Sequence, residues 1–229
     1  MADLLNIAIF PVLLTLLAYR AGAFLQQKTK SPLCNPILLA VILVLAFLGL
    51  TGMELKTYQT GAAFLSWLMT PATVCLAISM YEQFRVLRKN TPVILAGVAA
   101  GAVSCLLTVL GFSLLLGFDR ELTVSLLPKS VTTAIGVPLS QIAGGLTPVT
   151  TAAIILTGIT ASVLGPTLCR VFRLTDEVAQ GAAFGTAGHV IGTAKASEMS
   201  KLTGAVSSLS LVIAGLLTAI VLPVLANFL

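Results

Sequence analysis

Long apolar runs separated by short polar connectors make up almost the whole chain. Five runs, Leu4–Tyr19, Ile37–Met53, Pro92–Leu116, Pro148–Phe172 and Ala205–Leu229, approach the about 20 apolar residues that a helix needs to cross a bilayer, the first two being short. Three other segments are apolar enough to enter a membrane but are interrupted. These are Gly61–Tyr81, broken at Pro71; Leu122–Ile142, broken at Pro128 and Pro138; and Val178–Lys195, punctuated by glycines. The pattern predicts an all-α, polytopic helical membrane protein with about seven or eight embedded segments, some of them broken by proline or glycine.

Composition sharpens this picture. The 229 residues are 57% hydrophobic and 9% charged, with a mean hydropathy of +1.05. A soluble domain carries roughly 25% charged residues, so so few charges could not cover a core in water. Hydrocarbon is the solvent for most of the chain, and residues 1–229 read as a single integral membrane domain. The first run is expected to be a mature helix and not a signal peptide, because Asp3 stands where a positive n-region belongs. Cys34, Cys75, Cys105 and Cys169 form no metal-ligating or disulfide pattern and read as small apolar fillers.

The net charge of +5 is explained by where the cations sit. Arg20, Lys28 and Lys30 lie in one connector and Arg85, Arg88 and Lys89 in another, while Glu54 with Lys56 and Asp119-Arg120-Glu121 occupy the intervening ones. By the positive-inside rule the first pair is cytoplasmic, which puts the N-terminus outside. Arg170 and Arg173 make a third basic connector, and it can be cytoplasmic only if Leu122–Ile142 enters and leaves on the same side. Gly61-Ala62-Ala63-Phe64 recurs as Gly181-Ala182-Ala183-Phe184. If meaningful, this match divides the chain into halves 1–118 and 119–229 as inverted repeats, an architecture of secondary transporters.

The richest stretch chemically is Leu126–Thr133. Pro128 cannot donate a backbone hydrogen bond, and in lipid freed backbone groups survive only against protein or a water-filled cavity. Lys129, Ser130, Thr132 and Thr133 add a cation and three hydroxyls at the same place. A half-helix starting at Pro128 would also point its positive dipole end there, describing an anion pocket. The alternative is a capped kink with Lys129 snorkelling to the interface. On one continuous helix, Gly181, Gly185, Gly188 and Gly192 would share a close-packing face, beside a polar strip of Thr186, His189 and Thr193. His189, the sole histidine, titrates near physiological pH and reads as a substrate or proton site. The alternative is a hydrogen-bonded histidine holding two helices together. No Asp or Glu lies deep in a span, which favours an anionic cargo over a cation. No Walker, Rossmann, zincin or serine-hydrolase motif occurs, so neither an enzyme, a cofactor nor a metal is expected, and nucleic acid is not needed to explain the charge.

Several motifs carry a resemblance. They are Asn35-Pro36, Pro71-Ala72-Thr73-Val74, Tyr81-Glu82-Gln83, Leu127–Thr133, Leu156-Thr157-Gly158, Leu164-Gly165-Pro166, Gly185-Thr186-Ala187, His189, Ile191-Gly192-Thr193-Ala194 and Gly204–Leu209. Through them the chain resembles the LrgB/CidB family from end to end. Ala134, Gly188 and Lys195 stand where the family usually has Pro, Ser and Arg. The resemblance implies a transporter of small monocarboxylates such as glycolate, glycerate, lactate or pyruvate, proton- or sodium-coupled. It equally implies the alternative role of an antiholin-like or holin-like regulator of murein hydrolase export and autolysis. It further implies the cell inner (plasma) membrane and a small membrane partner of the LrgA/CidA type. A homo-oligomer is expected. The expected substrate contacts, read from the residues themselves, are Lys129, Ser130, Thr132, Thr133, Thr73, Thr186, His189 and Thr193, around helix breaks at Pro71, Pro128, Gly185, Gly188 and Gly192.

Overall fold

A computed structural model describes residues 2–29, 36–68, 71, 74–75, 78 and 81–229. The described residues are helical with short connectors, and no strand occurs among them. Four helices are long and apolar enough to cross a membrane by length and composition: Ile9–Thr29 within the first helix, Phe84–Leu116, Thr147–Val171 and Lys201–Ala226. The chain divides into two compact units, residues 1–75 and 76–229.

The first unit holds α1 (Ala2–Thr29), α2 (Pro36–Thr51), α3 (Leu55–Gly61) and α4 (Ala63–Trp67). Ala18, Ala40, Val44 and Leu48 bury against one another with Leu14, Met53 and Tyr58 beside them. The Tyr58 hydroxyl is 2.6 Å from Thr15 Oγ1, a part-buried contact that ties α3 to α1. Arg20 and Lys28 lie within α1 and not in a connector. Pro71 is helical and exposed, while Thr73 and Cys34 lie outside the described residues.

The second unit begins with α5 (Phe84–Leu116), which starts eight residues before the predicted run and carries Arg85, Arg88 and Lys89 in its first turns. It ends at Gly117, whose φ of 66° closes the helix in the left-handed region that favours glycine. Next come α6 (Arg120–Leu126), a 3-10 turn at Leu127–Ser130 and α7 (Thr133–Ile142), then α8 (Thr147–Val171), α9 (Glu177–Met199) and α10 (Lys201–Ala226). Pro138 sits inside α7 without interrupting it, so the segment breaks at Pro128–Thr132 alone.

Two of these elements double back. Around the first break, Leu146 N–H donates to Ser125 Oγ at 2.6 Å, and Arg120 Nη1 donates to the Ala143 carbonyl at 3.5 Å. The start of α6 and the end of α7 therefore lie together, and the tip of this hairpin is the stretch Pro128–Thr132. In α9 the reversal falls at His189, which has φ 42° and ψ −140°. In a straight helix Phe184 and Gly192 would be about 12 Å apart, yet a methyl group placed on Gly192 would lie 2.7 Å from the Phe184 carbonyl oxygen. Phe184 also packs with Ala196, Met199 and Cys169. Residues Glu177–Gly188 and Val190–Met199 are thus the arms of a second hairpin, and the continuous polar strip expected along α9 does not form.

The hairpins open at opposite ends of the unit. Arg120 Nη2 donates to the carbonyl of Ala226, the last residue of α10, at 3.0 Å, so the first hairpin opens where α5 and α10 end. The second opens where α8 ends and α10 begins, as the Cys169–Phe184–Ala196 cluster with Leu174 and Met199 requires. The core cluster of Leu87, Ile94, Val98 and Val206, flanked by Val178 and Leu202, puts the basic start of α5 at that same end. Each hairpin is followed by one long helix, and the two hairpin-plus-helix pairs run in opposite directions.

Candidate functional site

The two hairpin tips come together beside α8. The 3-10 turn touches both α8 and α9. Broken helices leave backbone groups without intrahelical partners at each break. At the first tip the free amides are those opening α7, since Thr132 is its N-cap and its carbonyl accepts from Gly136 N–H at 2.7 Å. The half-helix was expected to begin at Pro128. It begins at Thr133, because the 3-10 turn and the extended Val131 and Thr132 intervene. At the second tip, Glu177–Gly188 ends and Val190–Met199 begins. Each tip thus presents one positive and one negative helix end.

Side chains of the first tip divide sharply. Lys129 is half-buried, and among the described residues it has no hydrogen bond or ion pair; the ion pair found there joins Lys195 to Glu198 at 2.7 Å. Ser130 is 8% exposed, and its Oγ is buried with no partner among the described residues. Thr132 and Thr133 are half-buried, and Thr132 makes no side-chain cap bond. A buried hydroxyl left unpaired costs about 1–3 kcal/mol, which sets Ser130 apart from the satisfied hydroxyls of the unit.

On the second hairpin, Thr186 repeats the situation: it is 4% exposed and its Oγ1 has no partner among the described residues. It lies against Gly101 of α5 and lines a cleft of about 500 Å³ between α5 and the first arm of α9. Thr193, by contrast, is satisfied, with its Oγ1 2.8 Å from Ser207 Oγ of α10. Gly185 packs on the Ser207 carbonyl, Gly188 on Ala161 of α8 and Gly192 on Phe184 of the opposite arm. These three glycines are close-packing points in the arms, and the reversal itself is at His189.

His189 is 4% exposed, and its Nε2 lies 2.9 Å from the Ile154 carbonyl of α8. A carbonyl only accepts, so Nε2 carries the proton and donates it there. The ring ties α9 to α8, which is the second of the two roles open to it from the sequence. Two α8 residues that sequence reasoning passed over as site residues belong here. Gly158 lies under the imidazole, where a methyl group would come 2.5 Å from ring Cε1, and Ile154 Cδ1 lies against Gly136 of the first hairpin. A glycine within an otherwise apolar helix was the available signal for the close approach at Gly158.

The description of the LrgB-like family matches residues 15–228 of the chain, nearly its whole length. No solved structure matches it.

Proposed function

Since the chain belongs to the LrgB-like family, we propose that it is a secondary transporter of small monocarboxylates such as glycolate, glycerate, lactate or pyruvate. The observation that carries this reading is that, of the three buried unpartnered hydroxyls among the described residues, Ser113, Ser130 and Thr186, the last two lie on oppositely opening hairpins, the 3-10 turn of the first touching α9. A carboxylate placed between them accepts hydrogen bonds from both hydroxyls and from the amides opening α7. The Lys129 ammonium neutralises it. Thr132 and Thr133 line the same tip, and a substrate hydroxyl or keto oxygen has polar neighbours there. The carbonyl ends of α6 and of the first arm of α9 suit the coupling cation, a proton or sodium ion, in the way discontinuous helices serve other transporters.

In this reading the four long helices, the shorter α2 and the two hairpins make about seven embedded segments in the cell inner membrane. The basic end of the second unit faces the cytoplasm. The protein is a carrier and not an enzyme, and it works as a homo-oligomer, beside a small LrgA/CidA-type membrane partner. Purified protein in proteoliposomes is tested with radiolabelled glycolate, glycerate, lactate and pyruvate. Saturable uptake of at least one above protein-free vesicles is expected. Folded protein that moves none of them would leave the antiholin-like regulator of murein hydrolase export as the function.

A further inference from the structure

His189 holds a backbone conformation, φ 42° and ψ −140°, that residues with a Cβ rarely adopt. Such a conformation persists only where its surroundings over-determine it. Its surroundings on α8 are specific. The Ile154 carbonyl receives the Nε2 proton at 2.9 Å, and four residues later Gly158 leaves the gap that the ring fills. A methyl group on Gly158 would lie 2.5 Å from ring Cε1 and 2.8 Å from Nε2. The ring could escape only by leaving its hydrogen bond. The Ile154 side chain reaches the other way, and a methyl group on Gly136 would come 2.7 Å from its Cδ1. One turn of α8 therefore touches both hairpins, one through a carbonyl and a gap, the other through a side chain.

We propose that Gly158 and the Ile154 carbonyl are positioning groups that hold the second hairpin tip at His189 in register with the first. They touch no substrate. They act through the imidazole, which converts the shape of α8 into the place where the first arm of α9, with Thr186, stops. The proposal rests on the transport reading only for its functional consequence; the latch itself is a statement about structure.

Four proteins test it: wild type, Gly158→Ala, His189→Gly, and the double variant Gly158→Ala/His189→Gly. Each is placed in nanodiscs for amide hydrogen exchange at Val190–Gly192, and in proteoliposomes for the half-saturation concentration of the transported acid. In the wild-type background Gly158→Ala is expected to speed exchange and raise half-saturation by about tenfold. With the ring gone, the same substitution should change either by less than about twofold, because coupled neighbours are strongly non-additive. Equal effects with and without the ring, or no effect in either background, would overturn the proposal. Should Gly158→Ala fail to fold, recovery of folded protein in the double variant supports the latch, and failure of both refutes it. If the wild type transports nothing, the transport reading falls while the exchange measurements still decide the latch.

Discussion

At the residue scale, the difference between a group that holds the protein together and one that awaits a ligand can be measured. Ser130 Oγ is buried without a partner among the described residues, so Ser130→Ala removes no protein–protein hydrogen bond. Thermal unfolding of the ligand-free variant should be unchanged or raised, by up to about 1 kcal/mol, since an unsatisfied hydroxyl is lost. Its half-saturation concentration for the transported acid should rise, about three- to tenfold for one hydrogen bond of about 1 kcal/mol. A destabilised variant with normal affinity would make Ser130 a packing residue. Lys129 is tested in the same assay. Lys129→Gln should raise half-saturation about tenfold or more, equivalent to a lost interaction of about 1.4 kcal/mol. Lys129→Arg should rescue only partly, because the planar guanidinium carries its charge further out. Wild-type affinity in Lys129→Gln would make the lysine an interfacial anchor.

At the element scale, the two breaks differ in how far they show in the sequence. Pro128 announces the first directly: it cannot donate a hydrogen bond, and polar side chains crowd after it, so both the break and its hydroxyls were legible. The second was obscured by its glycines. Gly185, Gly188 and Gly192 were expected both as a close-packing face and as helix breaks; they serve close contacts, while the reversal fell on His189, the bulky polar residue among them. Only a long-range contact, the ring of His189 on the Ile154 carbonyl 35 positions earlier, explains that choice, and no local pattern encodes it. This gives a test of backbone strain. His189→Gly and His189→Ala both lose the ring, but only alanine must still hold φ 42° with a Cβ. His189→Gly should therefore be more stable than His189→Ala by about 1 kcal/mol or more, reversing the order by which glycine in a helix interior costs about 1 kcal/mol relative to alanine. Thermal unfolding in detergent reads the order directly. Alanine above glycine would mean that the segment relaxes into an ordinary helix once the ring is gone.

At the scale of the second unit, charge and chain reversal agree. Arg85, Arg88 and Lys89 start α5, while Arg170 and Arg173 close α8, and contacts among Leu87, Val178, Val206 and Leu202 place these two groups at one end. The other end carries Asp119, Arg120 and Glu121, with Arg120 capping α10 through the Ala226 carbonyl. Two basic clusters, one at the start of α5 and one at the end of α8, lie at the same end only if the segment between these two helices fails to cross, and Arg120–Ile142 is built as such a hairpin. The same positive-inside logic assigns the basic end to the cytoplasm. Single cysteines in a variant lacking Cys34, Cys75, Cys105 and Cys169 test the whole arrangement at once. Asp119→Cys and Gly144→Cys stand at the two feet of the first hairpin, and both should react with a membrane-impermeant thiol reagent applied to intact cells. Thr175→Cys and Met199→Cys stand at the two feet of the second, and both should react only in inside-out vesicles. Each hairpin thus makes a paired claim, because a segment that crossed the membrane would label one foot from each side. Asp119 and Gly144 labelled from opposite sides would turn the first hairpin into a span. That would separate the basic clusters that the charge rule groups together and remove the opposed tips on which the proposed substrate site depends.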